Sequence, residues 1–371
     1  MKVALLSFHN AINYGAALQA YALEKYLLEQ DIDCEYINYQ NYHRRIAYNM
    51  SHHVWKSLKN KNFSMALKYF LGSPFMELRK IRFKSFYRKN LKCTKIVYKS
   101  SDEAKELNQL YDKFIVGSDQ VWNFDNNGND FAFLLNFVDD DSKKISYSSS
   151  FGMSEIPSLL NDKYSEYLSR INNISVRETY GIDLIKNLTG RDSKLVLDPV
   201  FLLSKQQWEN LASQKKEKDN YVFFYTNRSN QVADFCRQTK YSFKNKKLYV
   251  LSRNVTFKDF LNRNRKVKYS MSPKEFIRII RDSELVVSAS FHCISLAIIL
   301  NKPFVAILTG EKGKDERILN ILNLLNLNNR ILTSKMNEMD VCSTIDFIKV
   351  NHNIHKLVLD STKFLKDSIK N

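Results

Sequence analysis

The chain has 371 residues, 44% hydrophobic and 26% charged, a globular composition with material for two cores rather than one. Its apolar runs are short and broken by charge, which argues against a membrane span. Its five scattered cysteines (34, 93, 236, 293, 342) form no CxxC pair, so neither a disulfide framework nor a zinc site is indicated and a reducing cytoplasm fits.

The opening MKVALLSFHN is basic and then apolar, too short for a signal-peptide core and without a small-residue cleavage site, so it reads as a first strand, VALLSF (3–8). A loop, HNAINYG, leads to AALQAYALEKYLLEQ, where Leu18, Tyr21, Ala22, Lys25 and Leu28 recur at helical spacing. CEYINY (34–39) reads as a second strand. Beyond a basic insertion come a helix near 101–109, the strand KFIVG, and KKISYSSSFG (143–152) as strand then loop. A helix near 157–171, the strand NISVRE and the strand KLVLDP (194–199) complete the first set. The second set has strands YVFFYT (221–226), KLYVLS (247–252), SELVVSAS (283–290), KPFVAIL (302–308) and NRILT (329–333). Its helices lie near 229–240, 273–282, 292–300 and 315–326.

Strands alternating with helices predict parallel sheets covered on both faces. The expected fold is α/β, with two Rossmann-type halves facing a central cleft. Residues 1–203 form one half, carrying the insertion 41–95 and joined by a C-terminal helix, 340–371; residues 204–339 form the other. Neither GxGxxG nor GxxxxGK occurs, so a dinucleotide or P-loop site has no support, and no cofactor is indicated.

The formal charge of +18 is local. Residues 41–95 hold 14 Lys and Arg against one acid, Glu77, leaving +5 for the other 316 residues. The cations are interleaved with Tyr42, Tyr48, Trp55, Phe63, Tyr69, Phe70, Phe75, Phe83, Phe86 and Tyr87. Three readings stand: a solvated helical insertion with its rings packed on the domain, a surface for an anionic membrane, and, weakest, a nucleic-acid site. His43, His52 and His53 have no carboxylate at ligand spacing and read as surface residues, so no metal site is indicated.

Ligands of open parallel sheets collect beyond the carboxyl ends of strands. Those ends read NYG (13–15), SDQVWN (118–123), SFG (150–152), VRE (176–178), DP (198–199) and SFHC (290–293). Arg177 offers a rigid fork for a carboxylate or phosphate, or a surface salt bridge to Glu178. His292 opens the helix HCISLAIIL, where backbone amides favour an anion and an imidazole can serve as acid or base. The plainer alternative is Ser290 as N-cap and His292 packed on a strand. Asp119, Gln120 and Asn123 bring hydrogen-bonding groups to one strand end, Asp119 can act as a base, and Trp122 adds a flat apolar face; an Asx-type turn over a buried Trp is the alternative. Asn13 and Tyr14 precede Gly15, which allows close backbone approach.

NYGAALQAYAL, VGSDQVWN, ISYSSSFG, ISVRE, LDPVFLL and SFHCISLAIILNKPF, in that order, resemble the motifs of the polysaccharide pyruvyl transferase family. The resemblance runs from residue 13 to about residue 332. It implies a GT-B-like fold and transfer of pyruvate from phosphoenolpyruvate onto a pair of sugar hydroxyls as a ketal. The acceptor implied is a lipid-linked or nucleotide-linked sugar of a capsule or exopolysaccharide. Carried onto this chain, it makes His292 and Asp119 the catalytic residues, Arg177, Ser290, Arg317 and Gly15 donor-binding, and Asn13, Tyr14, Gln120, Trp122 and Asn123 acceptor-binding. Ser290 stands where many members have the Arg of Arg-Leu-His; Arg317, at the start of a helix in the same half, is the candidate replacement cation, with an exposed helix charge as the alternative. A cytoplasmic enzyme, peripheral on the inner membrane face, follows. A nucleotide-sugar glycosyltransferase of the same architecture, and a non-enzymatic membrane or nucleic-acid binder acting through 41–95, are the rival readings.

Overall fold

Val3, Ala4, Leu5 and Leu6 are all fully buried, as a strand covered on both faces requires. The computed structural model describes residues 1–371 except 42, 44–54, 56, 129, 154, 218, 227–229, 244 and 253–264, and except the side chains of 64, 66, 68, 69, 71, 230, 312 and 314. Tyr42, Tyr48, His52, His53 and the Tyr69 ring therefore lie outside the described residues.

The first sheet contains β1 (Lys2–Leu6), β2 (Asp33–Tyr36), β3 (Lys113–Val116) and β4 (Lys144–Ser146) in the order β2-β1-β3-β4, all parallel. Bridges Ile145–Asn173 and Ser149–Val176 extend it to β5 (Ser175–Val176), which pairs with β6 (Lys194–Leu195). The second sheet contains β7 (Tyr221–Tyr225), β8 (Lys247–Leu251), β9 (Arg265–Lys268), β10 (Leu285–Ser288) and β11 (Phe304–Ala306), also parallel, in the order β11-β10-β7-β8-β9. Strand order reverses between β1 and β3 in one sheet and between β7 and β10 in the other. The chain thus has two Rossmann-type α/β halves, the GT-B-like plan expected.

Among the helices are α1 (Tyr14–Leu28), α2 (Phe63–Asn90), α3 (Asn161–Ser169), α4 (Thr179–Thr189), α5 (Lys205–Leu211), α6 (Asn230–Thr239), α7 (Pro273–Asp282), α8 (Phe291–Ile299), α9 (Lys312–Leu324) and α10 (Phe347–Lys370). Local chemistry sets several ends. Ser272 and Glu275 form a capping box before Pro273, and Ser204 and Gln207 do the same for α5. Gly190 ends α4 in the left-handed region, at φ 69°.

Several elements depart from the sequence reading, α5 among them as a helix the sequence reading lacks. NRILT is not a strand: Asn328–Arg330 is a 3₁₀ turn and only Ile331 bridges Ala306. Arg330 is buried and spends its guanidinium on the carbonyls of Phe304, Asp340 and Val341, which pins a loop there. β9 (RKVK) was unmarked because it is an edge strand whose cations discourage further pairing. α4 went unread between two short strands.

The halves are held together by apolar packing. Tyr14 stacks on Phe276 at 4.4 Å and meets Phe83 and Tyr225, within a core that also takes in Trp208, Phe223 and Ile294. In α10, Leu365 and Ile369 pack with Val3, Leu5 and Leu23, and Ser361 Oγ accepts the Leu197 N–H at 2.9 Å.

Candidate active site

Four strand ends converge on one buried group of charges. Beyond β5, Arg177 donates through Nη1 to Asp198 Oδ2 at 2.6 Å, and Asp198 follows β6. Beyond β10, His292 in the first turn of α8 places Nε2 3.4 Å from the same oxygen, a close approach without an aligned hydrogen bond. Beyond β3, Ser118 Oγ lies 3.0 Å from Asp198 Oδ2, while Asp198 Oδ1 accepts the Val200 N–H. One carboxylate therefore links elements of both halves.

The rest of the group surrounds Arg177. Asp119 Oδ1 is 3.9 Å from Nη2 and Glu178 Oε2 is 3.6 Å from Nε, and the guanidinium lies over the Phe291 ring at 4.9 Å. Asp119 holds this position in the left-handed backbone region (φ 73°), which aspartate tolerates better than most residues. Glu178 is fully buried and accepts from Ser150 Oγ and Tyr180 Oη. Asn320 of α9 donates to the Arg177 carbonyl at 3.1 Å, and Arg317, one turn earlier, lines a pocket with Arg177, Asp198 and Phe291.

The electrostatics follow from this packing. Burial alone would raise the Asp198 carboxyl, but His292 and Arg177 hold it well below the usual carboxylate range. Burial opposes the charge on Arg177, yet Asp198, Glu178 and Asp119 overcome it and raise its pKa. For Arg317 the balance falls the other way: burial and the neighbouring Arg177 push its pKa down, and Asp119 and Glu178 offset this only in part. Several buried atoms here lack a hydrogen-bond partner: Arg177 Nε and Nη2, Arg317 Nε, His292 Nε2, Gln120 Nε2, Glu178 Oε2 and Asn123 Oδ1. Each such atom costs about 1–3 kcal/mol, so a ligand that satisfies them gains that energy on binding.

Gly15 explains how the histidine fits. A Cβ at this position would fall 2.1 Å from His292 Nδ1, so the imidazole occupies the space against the α1 backbone. Asn13 caps α1, its Oδ1 accepting the Gly15 and Ala16 N–H groups. Ser290 is half-buried at the N-cap position of α8, but its side chain makes no capping bond. Gln120 packs its amide on Gly152, and Asn123 is buried.

Two sequence expectations are corrected. Trp122 is fully buried, donates from Nε1 to the Phe133 carbonyl and packs on Phe151, so no sugar reaches its face. Tyr14 is 1% exposed and its hydroxyl donates to the Met271 carbonyl, which makes it an interface core residue rather than an acceptor contact. Asp198, Ser118 and Glu178 were overlooked as members of the group. Asp198 reads from the sequence as one of the strand ends facing the cleft, but with no role of its own, although an acid at a strand mouth was a usable signal. His43 is exposed and its Nε2 lies 2.9 Å from the Asp125 carbonyl. Among the described residues no three His, Cys, Asp or Glu side chains are grouped to hold a metal.

The chain is similar in overall shape to solved sugar-nucleotide enzymes. The UDP-GlcNAc 2-epimerase of Neisseria meningitidis matches with TM-score 0.47 and 10% identity, over 98% of this chain and 99% of that one. The UDP-GlcNAc 2-epimerase of Methanocaldococcus jannaschii gives 0.45 and 12%, over 96% and 93%. A UDP-glucosyltransferase from Polygonum tinctorium gives 0.41 and 9%, over 100% and 98%. No curated protein matches the chain. The family model described as polysaccharide pyruvyl transferase matches residues 13–311, a span that starts at the cap of α1 and includes His292, Arg177 and Asp198. The chain belongs to the polysaccharide pyruvyl transferase family.

Proposed function

We propose that this protein transfers the pyruvyl group of phosphoenolpyruvate to two hydroxyls of one sugar, forming a pyruvate ketal during cell-surface polysaccharide synthesis. The observation that supports this is the set of unpartnered buried donors on Arg177, Arg317 and His292 around one fixed carboxylate, Asp198. Arg177 and Arg317 present guanidinium N–H groups to the donor's carboxylate and phosphate. His292 Nε2 delivers a proton to the methylene carbon, and C2 becomes electrophilic as the methyl group forms. One sugar hydroxyl adds to C2 and loses its proton to Asp119, which passes it back through solvent to restore His292; a second closes the ketal as the C2–O bond to phosphate breaks, and its proton leaves on the phosphate. Donor and diol thus give ketal and inorganic phosphate, with every proton accounted for. The acceptor is a lipid-linked or nucleotide-linked sugar.

Phosphate release should depend on both phosphoenolpyruvate and acceptor, and product made in deuterated water should carry deuterium in the ketal methyl group. An unlabelled methyl group, or a product that carries phosphate, would overturn the assignment. Protection from thermal unfolding by nucleotide sugars but not by phosphoenolpyruvate would favour glycosyl transfer instead.

A further inference from the structure

Helix α2 has two apolar faces, and only one is covered. Arg79, Phe83 and Phe86, at four- and three-residue spacing, are buried; Phe83 lies against Tyr14 and Phe86 against Tyr21. Arg82 fastens this part to the second half through the Ser270 carbonyl and Glu275. On the opposite side Phe63, Leu67, Phe70, Pro74, Leu78 and Ile81 follow one another at spacings of 4, 3, 4, 4 and 3, a straight stripe at 3.6 residues per turn. All six are exposed, the five other than Pro74 by 41% to 69%. The stripe runs about 27 Å at 1.5 Å per residue.

Two features make this a built surface rather than stray exposure. Pro74 removes the N–H that would meet the Phe70 carbonyl, yet the Ser73 hydroxyl donates to that carbonyl at 2.8 Å, so the helix continues through the proline. Cations border the stripe: Lys61, Lys84, Arg88 and Lys89 are exposed, and none of these four has an acidic partner among the described residues. Lys80 reaches only Glu77, at 3.5 Å. The surrounding segment 41–95 carries 14 cations and one acid. A second copy of the chain docked on this stripe would bring two such segments together and be repelled. Nucleic acid would satisfy the charge but leave the apolar stripe in water. An anionic bilayer satisfies both, with the stripe entering the headgroup–acyl boundary and the cations meeting lipid phosphates. No described helix is long and apolar enough to cross a membrane, so the contact lies in the membrane plane.

We propose that the Phe63–Ile81 stripe of α2 is a seat for an anionic membrane surface. This goes beyond the reaction proposed above and is tested without turnover. The full chain is sedimented with vesicles of phosphatidylcholine containing about 30% phosphatidylglycerol, and with phosphatidylcholine alone. Binding should be at least roughly 10-fold tighter to the anionic vesicles and weaken several-fold as salt rises from about 0.1 to about 0.5 M. The combined variant Phe63→Ser, Phe70→Ser and Ile81→Ser should lose roughly 10-fold or more in binding with its unfolding midpoint unchanged, because these side chains are already in water. Wild-type binding equal on both vesicles, or variant binding equal to wild type, overturns the proposal. So does a concentration-dependent dimer that the variant breaks, or retention by a single-stranded RNA in place of the vesicles.

Discussion

Asp198 Oδ2 lies 2.6 Å from Arg177 Nη1 and 3.4 Å from His292 Nε2, so one buried oxygen ties a guanidinium of the first half to an imidazole of the second. Asp198→Asn keeps the Oδ1 contact to the Val200 N–H but leaves Arg177 without its closest counter-charge. We expect a destabilisation of about 3–5 kcal/mol by chemical denaturation, together with loss of turnover. The sign with pH is fixed by the depressed Asp198 pKa. The stabilisation is present above the unfolded carboxylate value and disappears only as pH falls through the lower folded value. Wild type should therefore keep this contribution at pH 4; an Asn variant as stable as wild type there would contradict the pairing.

Gly15→Ala tests the seat of the imidazole. The new Cβ would fall 2.1 Å from His292 Nδ1, and the ring must move away from Asp198 or α1 must shift. Turnover should fall roughly 100-fold, the same as for His292→Ala, since a displaced acid contributes as little as a missing one. Circular dichroism should report an intact fold in both. A Gly15→Ala enzyme with near-normal turnover would mean that His292 is not held in place for proton transfer.

Arg317→Gln should separate stability from function. The guanidinium is destabilised by burial and by Arg177, so removing its charge relieves the free protein. The midpoint should rise by roughly 1 °C, the change about 1 kcal/mol gives in a chain of this size. The apparent KM for phosphoenolpyruvate should rise roughly 10-fold or more through loss of one charge-assisted contact. A lower midpoint with unchanged KM would identify Arg317 as a structural cation.

Glu24 sits far from the charge group yet dominates a different titration. Burial pushes its pKa up to about 7 from an ordinary value near 4.5, although Oε1 accepts the Lys92 N–H at 2.7 Å and Oε2 is left without a partner. The folded state favours the protonated acid, so the contribution of Glu24 is fully present below pH 4.5 and is lost as pH rises through about 7, on the order of 3 kcal/mol in all. Glu24→Gln keeps the Lys92 contact and removes the titration. Its unfolding free energy should be flat across this window and exceed that of wild type at pH 8. An unchanged slope would assign the pH dependence to other groups.

The parallel sheets were legible because their strands are short apolar runs closed by Gly, Pro or polar residues. The converging site was legible because strand ends carry the polar residues that apolar runs exclude. What failed did so for identifiable reasons. Trp122 stands two residues from Gln120 in a polar motif, and sequence alone does not say that its indole turns inward to the Phe133 carbonyl. Asp198 is one residue from a proline and looked like punctuation, while its partners are 21 and 94 positions away, beyond any local pattern. The stripe on α2 was hidden because apolar residues on both helix faces cancel as a periodic signal. Only burial shows which face is covered.

The bond from the Leu197 N–H to Ser361 Oγ joins residues 164 positions apart. The sheet that begins the chain thus closes one face with a helix the ribosome makes much later. At about 5–20 residues per second, that face waits roughly 10–30 s for Leu365 and Ile369, which complete the cover over Val3, Leu5 and Leu23. During this interval the nascent chain offers a chaperone a greasy surface that the finished protein does not have. Truncation before α10 would make that exposure permanent, so a stretch remote from the charge group governs whether the first half survives its own synthesis.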